Sequence, residues 1–172
     1  MKIRQEREAD FDGLYELIKT AFQTARTPPD DEEGYAAGLR KSGRYIPALA
    51  LVAETAEEKG GLIGQIMLTK TNIDTGAEKI EALLLGPVSV LLEHRNKGVG
   101  AGLIKEALKR AKDLGYGAVF LCGDPDYYNR FGFKPVAGYG ITYGMDIPAK
   151  YVMGLELQEG WLKDKKGIIA IV

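Results

Sequence analysis

Apolar positions along this chain alternate between helical and strand-like spacing. Met1–Gln5 reads as a short strand, and from Phe11 the residues Leu14, Tyr15, Leu17, Ile18, Ala21 and Phe22 recur every three or four positions. That spacing predicts a helix with Asp10 as its cap. Thr27-Pro28-Pro29-Asp30 breaks the pattern, and an acidic-started second helix is expected over Glu32–Lys41. Pro47–Glu54 and Leu62–Thr71 are β-like, and the Glu57-Glu58-Lys59-Gly60-Gly61 stretch between them reads as a hairpin turn. Lys79–Leu92 is a third long β-like run. Val99, Leu103, Ile104, Ala107, Leu108, Ala111 and Leu114 then line one face of a helix, which Gly115 ends. Ala118–Cys122 reads as a short buried strand, Pro125–Phe131 as a helical turn or two before Phe133–Val136, and Val152–Leu157 and Ile168–Val172 as closing strands.

Composition narrows the chemistry. The 172 residues carry 23 basic and 24 acidic side chains for a net charge of −1, so nothing favours a phosphate backbone and no nucleic acid partner is expected. No repeat, low-complexity tract or linker divides the chain, so one domain over 1–172 is expected. The N-terminus is charged from its second residue and lacks an apolar leader core. The apolar run Ala82–Leu92 is interrupted by Gly86, Pro87 and Ser89 and is too short for a bilayer. A cytoplasmic protein without a membrane partner is the expectation, and the single cysteine, Cys122, agrees with a reducing compartment.

One cysteine and one histidine cannot furnish a zinc site, so no metal is expected. Cys122 reads as a small hydrophobe at a strand end, and His94 as a solvated loop residue. The two serines, Ser42 and Ser89, lie outside any Gly-x-Ser-x-Gly elbow, which argues against serine hydrolysis.

The informative stretch is Leu83–Pro135. Gly86 and Pro87 inside a strand predict a bulge or a local parting of strands, because proline cannot donate to a ladder. Beyond them Val88, Ser89 and Val90 could direct backbone groups at an extended amide-bearing ligand instead of a neighbouring strand. Then comes Arg95-Asn96-Lys97-Gly98-Val99-Gly100-Ala101-Gly102, between that strand and the long helix. Such a glycine-rich turn brings backbone N–H groups and a helix start close to an anion, and a pyrophosphate suits it. Arg95 and Lys97 would add charge. Two rival phosphate motifs fit poorly. The dinucleotide fingerprint wants a third glycine where Leu103 stands, and a Walker A motif wants a Gly-Lys pair that the chain lacks.

Arg95-Asn96-Lys97-Gly98-Val99-Gly100 resembles the Q/R-x-x-G-x-G/A motif of the GNAT superfamily of N-acetyltransferases. Tyr128-Asn129-Arg130-Phe131-Gly132-Phe133 resembles that superfamily's tyrosine followed by an aromatic-Gly-Phe turn. Leu85-Gly86-Pro87-Val88-Ser89-Val90 and Val152-Met153-Gly154-Leu155-Glu156-Leu157 are similar to its bacterial YhbS-like branch. The resemblance implies an α/β fold: a three-layer α/β/α sandwich on a mixed, mostly antiparallel sheet. One right-handed parallel crossover would join Leu83–Leu92 through the long helix to Ala118–Cys122. It further implies acetyl-CoA as cosubstrate. Val88, Ser89 and Val90 would pair with the pantetheine arm, and Arg95, Asn96, Lys97, Gly98, Val99, Gly100 and Ala101 would hold the pyrophosphate. Tyr128 would protonate the departing thiolate. The activity implied is transfer of an acetyl group to a primary amine by direct attack in a ternary complex.

The chain departs from the family pattern at the general base. Where many members place a Glu or His on the fourth strand, this sequence has Leu84 and Gly86, with Glu81 three residues further back. An alkylamine of pKa about 10.4 is neutral in only about one molecule in 2,500 at pH 7, so its proton must leave by some other route. A water relay, or a base from the first two helices, is expected. The acceptor would lie against Phe22–Tyr35 and Val136–Tyr151. Asp30, Asp31, Glu32 and Glu33 could attract a cationic amine, although acidic residues at a helix start also simply meet the helix dipole. A non-catalytic acyl-CoA sensor and a transferase for another acyl chain are the alternatives, and the C-terminal strands could pair two protomers.

Overall fold

The computed structural model describes residues 1–25, 31–56 and 61–171. They fall into two units, Met1–Thr69 with Gly86–Arg110, and Lys70–Leu85 with Ala111–Val172. Three elements, β3 (Leu62–Asp74), β4 (Lys79–Val90) and α3 (Val99–Asp113), contribute residues to both.

In the first unit, β1 (Lys2–Gln5) pairs antiparallel with β2 (Ala50–Glu54), which pairs antiparallel with β3 and slips register between Ala53 and Glu54. Pro47–Leu49, expected as strand, is instead a 3₁₀ turn; the proline sits at its start and the strand begins only at Ala50. The helix α1 (Phe11–Gln23) carries Leu14, Leu17, Ile18 and Ala21 on its buried face, and Leu17 and Ile18 pack with Ala36 of α2 (Glu32–Arg40). The α2 cap is Asp31, whose carboxylate accepts from the Gly34 N–H at 3.0 Å. Asp10 does not cap α1 with its side chain. Its carboxylate accepts from the Arg7 N–H at 2.8 Å and from the Arg4 guanidinium at 2.7 and 2.9 Å, closing the 3₁₀ turn Glu8–Asp10 that precedes the helix.

A buried polar cluster fastens this unit. Both carboxylate oxygens of Glu6 accept from Arg40, each at 2.9 Å, and Tyr45 donates its hydroxyl to Glu6 at 2.8 Å. The Glu6 side chain is wholly buried, and the Arg40 guanidinium also lies 5.0 Å from the centre of the Phe11 ring. Burial and the neighbouring Glu6 carboxylate push the Tyr45 phenol well above its usual range, so it stays a donor.

The second unit packs Ile73, Ala82, Leu84, Ala118, Phe120, Val136, Ile141, Val152, Leu162 and Ile169 into one cluster. Strand β5 (Ala118–Cys122) runs parallel to β4 and antiparallel to β8 (Val152–Glu156), which also pairs with the short β6 (Lys134–Pro135). Phe120 faces Gly154 across the β5–β8 ladder, and a methyl there would sit 2.9 Å from the ring, so glycine makes room for it. β7 (Ile141–Tyr143), which the sequence pattern did not suggest, lies parallel to β9 (Gly167–Ile169), and β9 also pairs antiparallel with the end of β3.

The strand order is β1-β2-β3-β4-β5-β8-β6, a mixed and mostly antiparallel sheet as expected, with the β4–β5 crossover through α3 parallel. The short β7–β9 pair is a second parallel contact beyond the one expected. Gly115, at φ +88°, stops α3 as anticipated, but Leu114 falls past the last helical residue and is exposed instead of extending the apolar face. No helix among the described residues is long and apolar enough to cross a membrane. The hairpin residues Glu57–Gly60, the Thr27–Asp30 break and Val172 lie outside the described residues.

Candidate functional site

In the first unit the candidate residues occupy one continuous path: the end of β4, a 3₁₀ turn at Leu92–His94, the bend 95–98 and the start of α3. The β4–β5 ladder is two residues long, Leu83 with Val119 and Leu84 with Phe120, and it ends before Gly86. Gly86 holds φ +143°, a conformation that favours glycine, and the Gly86–Pro87 bond is cis. The parting of strands expected at this dipeptide is therefore present. Beyond it Val88 and Val90 are half-buried and Ser89 is buried.

Two consecutive residues of β3 seat this segment. A methyl on Gly64 would meet the Ser89 carbonyl oxygen at 3.0 Å, Val99 at 3.1 Å and Leu103 at 3.2 Å, so the strand presses against both β4 and the first turn of α3. Gln65, fully buried, donates from Nε2 to the Pro87 carbonyl oxygen and to Ser89 Oγ, both at 3.2 Å. Neither residue stands out in the sequence pattern. The available signal was a lone amide inside the otherwise apolar run Ile63–Leu68.

The bend itself has two residues in the left-handed region, Asn96 at φ +58° and Gly98 at φ +83°. Asparagine and glycine tolerate that region best, and such alternation turns successive N–H groups toward one concavity. The first i to i−4 bond of α3 runs from the Gly102 N–H to the Gly98 carbonyl at 2.9 Å. The N–H groups of Val99, Gly100 and Ala101 are those that a helix start leaves without intrahelical acceptors. Lys97 is exposed beside them.

The Arg95 side chain is engaged within the protein. Its guanidinium donates to the carbonyls of Val90 at 3.0 Å, Thr24 at 3.0 Å and Ala21 at 2.7 Å, and to Thr24 Oγ1 at 2.9 Å. It thus ties the end of β4 to the C-terminal end of α1, where a cation meets the negative pole of the helix. Four of its five N–H donors are used this way, leaving Lys97 as the side chain of this bend able to reach an anion.

In the second unit, Tyr128 ends the short helix α4 (Pro125–Tyr128), which Asp124 caps by accepting from the Asp126 N–H at 3.0 Å. Its ring packs edge-on against Tyr127 at 5.1 Å and Phe133 at 5.9 Å. The ring lies so close over Gly123 that a methyl there would come within 2.4 Å of Tyr128 Cε2. Gly123 is thus the seat of this tyrosine, a role that sequence spacing did not reveal. Among the described residues the Tyr128 hydroxyl has no hydrogen-bond partner, unlike a core tyrosine held by backbone. Burial, then the neighbouring Tyr127 and Cys122, push its phenol up to about 12. Tyr127 packs under the Arg130 guanidinium, 4.5 Å from the ring centre.

The residues in the expected base positions are apolar: Leu84 is buried and Gly86 has no side chain. Glu81 is exposed and lies 3.3 Å from Lys70 in an ion pair. Cys122, read as a small hydrophobe at a strand end, is at the end of β5 and exposed. His94 lies half-buried in the 3₁₀ turn instead of a solvated loop. Among the described residues no cluster of His, Cys, Asp and Glu could hold a metal.

Residues 2–136 match the family model of the acetyltransferase (GNAT) domain. The uncharacterized N-acetyltransferase YhbS of Escherichia coli K12 is 30% identical over 141 residues, 82% of this chain and 78% of that protein. In structure, Escherichia coli YhbS in complex with CoA superposes with a TM-score of 0.87 at 25% identity, over 99% of this chain and 89% of that one. A GNAT family acetyltransferase from Brucella melitensis in complex with acetyl-CoA gives a TM-score of 0.78 at 28% identity, over 99% and 95% of the two chains.

Proposed function

Since the chain belongs to the GNAT acetyltransferase family, we propose that residues 1–172 form one transferase domain that moves the acetyl group of acetyl-CoA onto a primary amine. The observation that carries this reading is the bend 95–98, with Asn96 and Gly98 both left-handed, opening directly onto the helix start at Val99. The backbone N–H groups of Asn96, Lys97, Gly98, Val99, Gly100 and Ala101 would take the pyrophosphate, with Lys97 adding charge and Arg95 holding the bend in place. The backbone of Val88, Ser89 and Val90 would pair with the amides of the pantetheine arm.

In the chemical step the amine nitrogen attacks the thioester carbonyl, and the Val88 N–H stabilises the charge that develops on its oxygen. The C–N bond forms as the C–S bond breaks, the electron pair leaves on sulfur, and the amine's surplus proton passes to water. Tyr128 donates its hydroxyl hydrogen bond to the departing thiolate. With its phenol held near about 12, Tyr128 is protonated at every working pH.

The experiment is thioester consumption by the purified chain with a panel of polyamines, aminoglycosides and peptides with free N-termini. Release of CoA that depends on one amine class supports the transferase and names its acceptor. CoA release no faster than in buffer with every amine would favour the second reading, an acyl-CoA-binding module. That reading draws on Leu84 and Gly86 where a base is expected, and on the nearby Glu81 being ion-paired with Lys70.

A further inference from the structure

We propose that Gln65 is a positioning residue that aims the Val88 N–H at the reacting carbonyl, an inference that rests on the transferase reading above. Gln65 lies in mid-strand, fully buried, and its Nε2 reaches the Pro87 carbonyl oxygen at 3.2 Å. A carbonyl can only accept, so this contact also fixes which end of the amide is nitrogen. The second Nε2 contact, to Ser89 Oγ at 3.2 Å, holds the amide from the other side of Val88.

The Pro87–Val88 peptide is trans, unlike the Gly86–Pro87 bond before it. In a planar trans peptide the C=O and N–H point in opposite directions. Holding the Pro87 oxygen therefore sets the direction of the Val88 N–H, which points away from the Gln65 amide. A hydrogen bond accepted by the carbonyl also polarises the peptide and makes its N–H a better donor. On the β5 side the ladder has already ended at Leu84 and Pro87 has no N–H of its own, so Gln65 adds a side-chain hold on this plane to the strand's pairing with β3.

The arrangement has an evident cost. Gln65 Oε1 is buried with no partner among the described residues, as is Thr69 Oγ1 on the same strand. A leucine of similar size at residue 65 would avoid that unpaired oxygen. Retaining an amide whose one satisfied end grips the Pro87 carbonyl and Ser89 is what a positioning role requires.

The test compares Gln65→Leu and Gln65→Glu with the wild-type chain, using acetyl-CoA and the amine found active in the panel. Three quantities are read: kcat, KM for acetyl-CoA, and the carbonyl stretch of bound acetyl-CoA labelled with carbon-13 at the carbonyl. Expected for Gln65→Leu is a kcat lower by about 10- to 100-fold, less than the complete loss of an oxyanion donor. KM and the affinity for free CoA should stay within a few-fold, and the carbonyl band should shift to higher frequency. Gln65→Glu keeps the shape and guards against a folding failure of the leucine variant. A buried carboxyl is displaced upward in pKa, and only its protonated form can donate to the Pro87 oxygen. Its activity relative to wild type should therefore recover as pH falls.

Wild-type kcat and an unmoved carbonyl band in both variants would overturn the positioning role while leaving the transferase intact. A wild-type chain that neither binds nor turns over acetyl-CoA would instead overturn the transferase reading, and the positioning role with it.

Discussion

Replacing Tyr128 with phenylalanine separates two ways in which a phenol can assist a leaving thiolate. Burial pushes this phenol up to about 12, whereas a free thiol titrates near ~8.5. Complete proton transfer from tyrosine to thiolate is then uphill by about 3.5 pKa units, or roughly 5 kcal/mol at 1.36 kcal/mol per unit. A hydrogen bond from a neutral donor to the charged sulfur contributes roughly 1.5–3 kcal/mol without that penalty. In the proposed mechanism Tyr128 would therefore act as a hydrogen-bond donor, with the thiolate leaving as an anion. Removing the hydroxyl should lower kcat by roughly 10- to 150-fold, the same energy expressed as a rate, and should leave KM for acetyl-CoA nearly unaltered. The assay is initial-rate CoA release in water and in deuterium oxide, with the wild-type solvent isotope effect expected close to unity. A large isotope effect that vanishes in the phenylalanine variant would refute the reasoning in favour of full transfer. An unaltered kcat would remove Tyr128 from the mechanism altogether.

Three further outcomes follow from the same structure. Gly123→Ala places a methyl 2.4 Å from Tyr128 Cε2, so the ring must move; kcat should fall at least as far as in the phenylalanine variant while calorimetric CoA affinity holds. Removing one partner of the buried Glu6–Arg40–Tyr45 cluster, as in Arg40→Met, should destabilise the fold by about 3–5 kcal/mol in urea unfolding. The pair Glu6→Leu with Arg40→Met should lose less, because no charge is left buried alone. Tyr128, whose folded pKa is raised, adds stability that is fully present below pH ~10 and is lost as pH rises toward about 12. The Tyr128 share of alkaline destabilisation is roughly 2–3 kcal/mol over that window, and Tyr128→Phe should remove that share while leaving the part that the raised phenol of Tyr45 contributes.

Much of the frame was legible because it depends on local spacing. The apolar face of α3, its stop at Gly115 and the parting of β4 from β5 near Gly86-Pro87 follow from periodicity and from what glycine and proline can do. The misread positions have tertiary causes. Asp10 has the composition of a helix cap, but Arg4 from β1 recruits its carboxylate. Leu114 continues the α3 pattern by one step, yet the helix has already ended. The contacts of Arg95 with Ala21 and Thr24, more than seventy residues away in sequence, could not be read from its motif. Gln65 and Gly123 are invisible to periodicity, since each acts through one close contact that only the folded chain creates.

The most direct test of an acyl-CoA site at the bend 95–98 is isothermal titration of the purified chain with acetyl-CoA, set against separate titrations with NADH and ATP. Saturable micromolar binding of acetyl-CoA alone, weakened in Gly98→Val, is the result expected of that site. Absence of heat with acetyl-CoA, or equal binding of NADH, would contradict it.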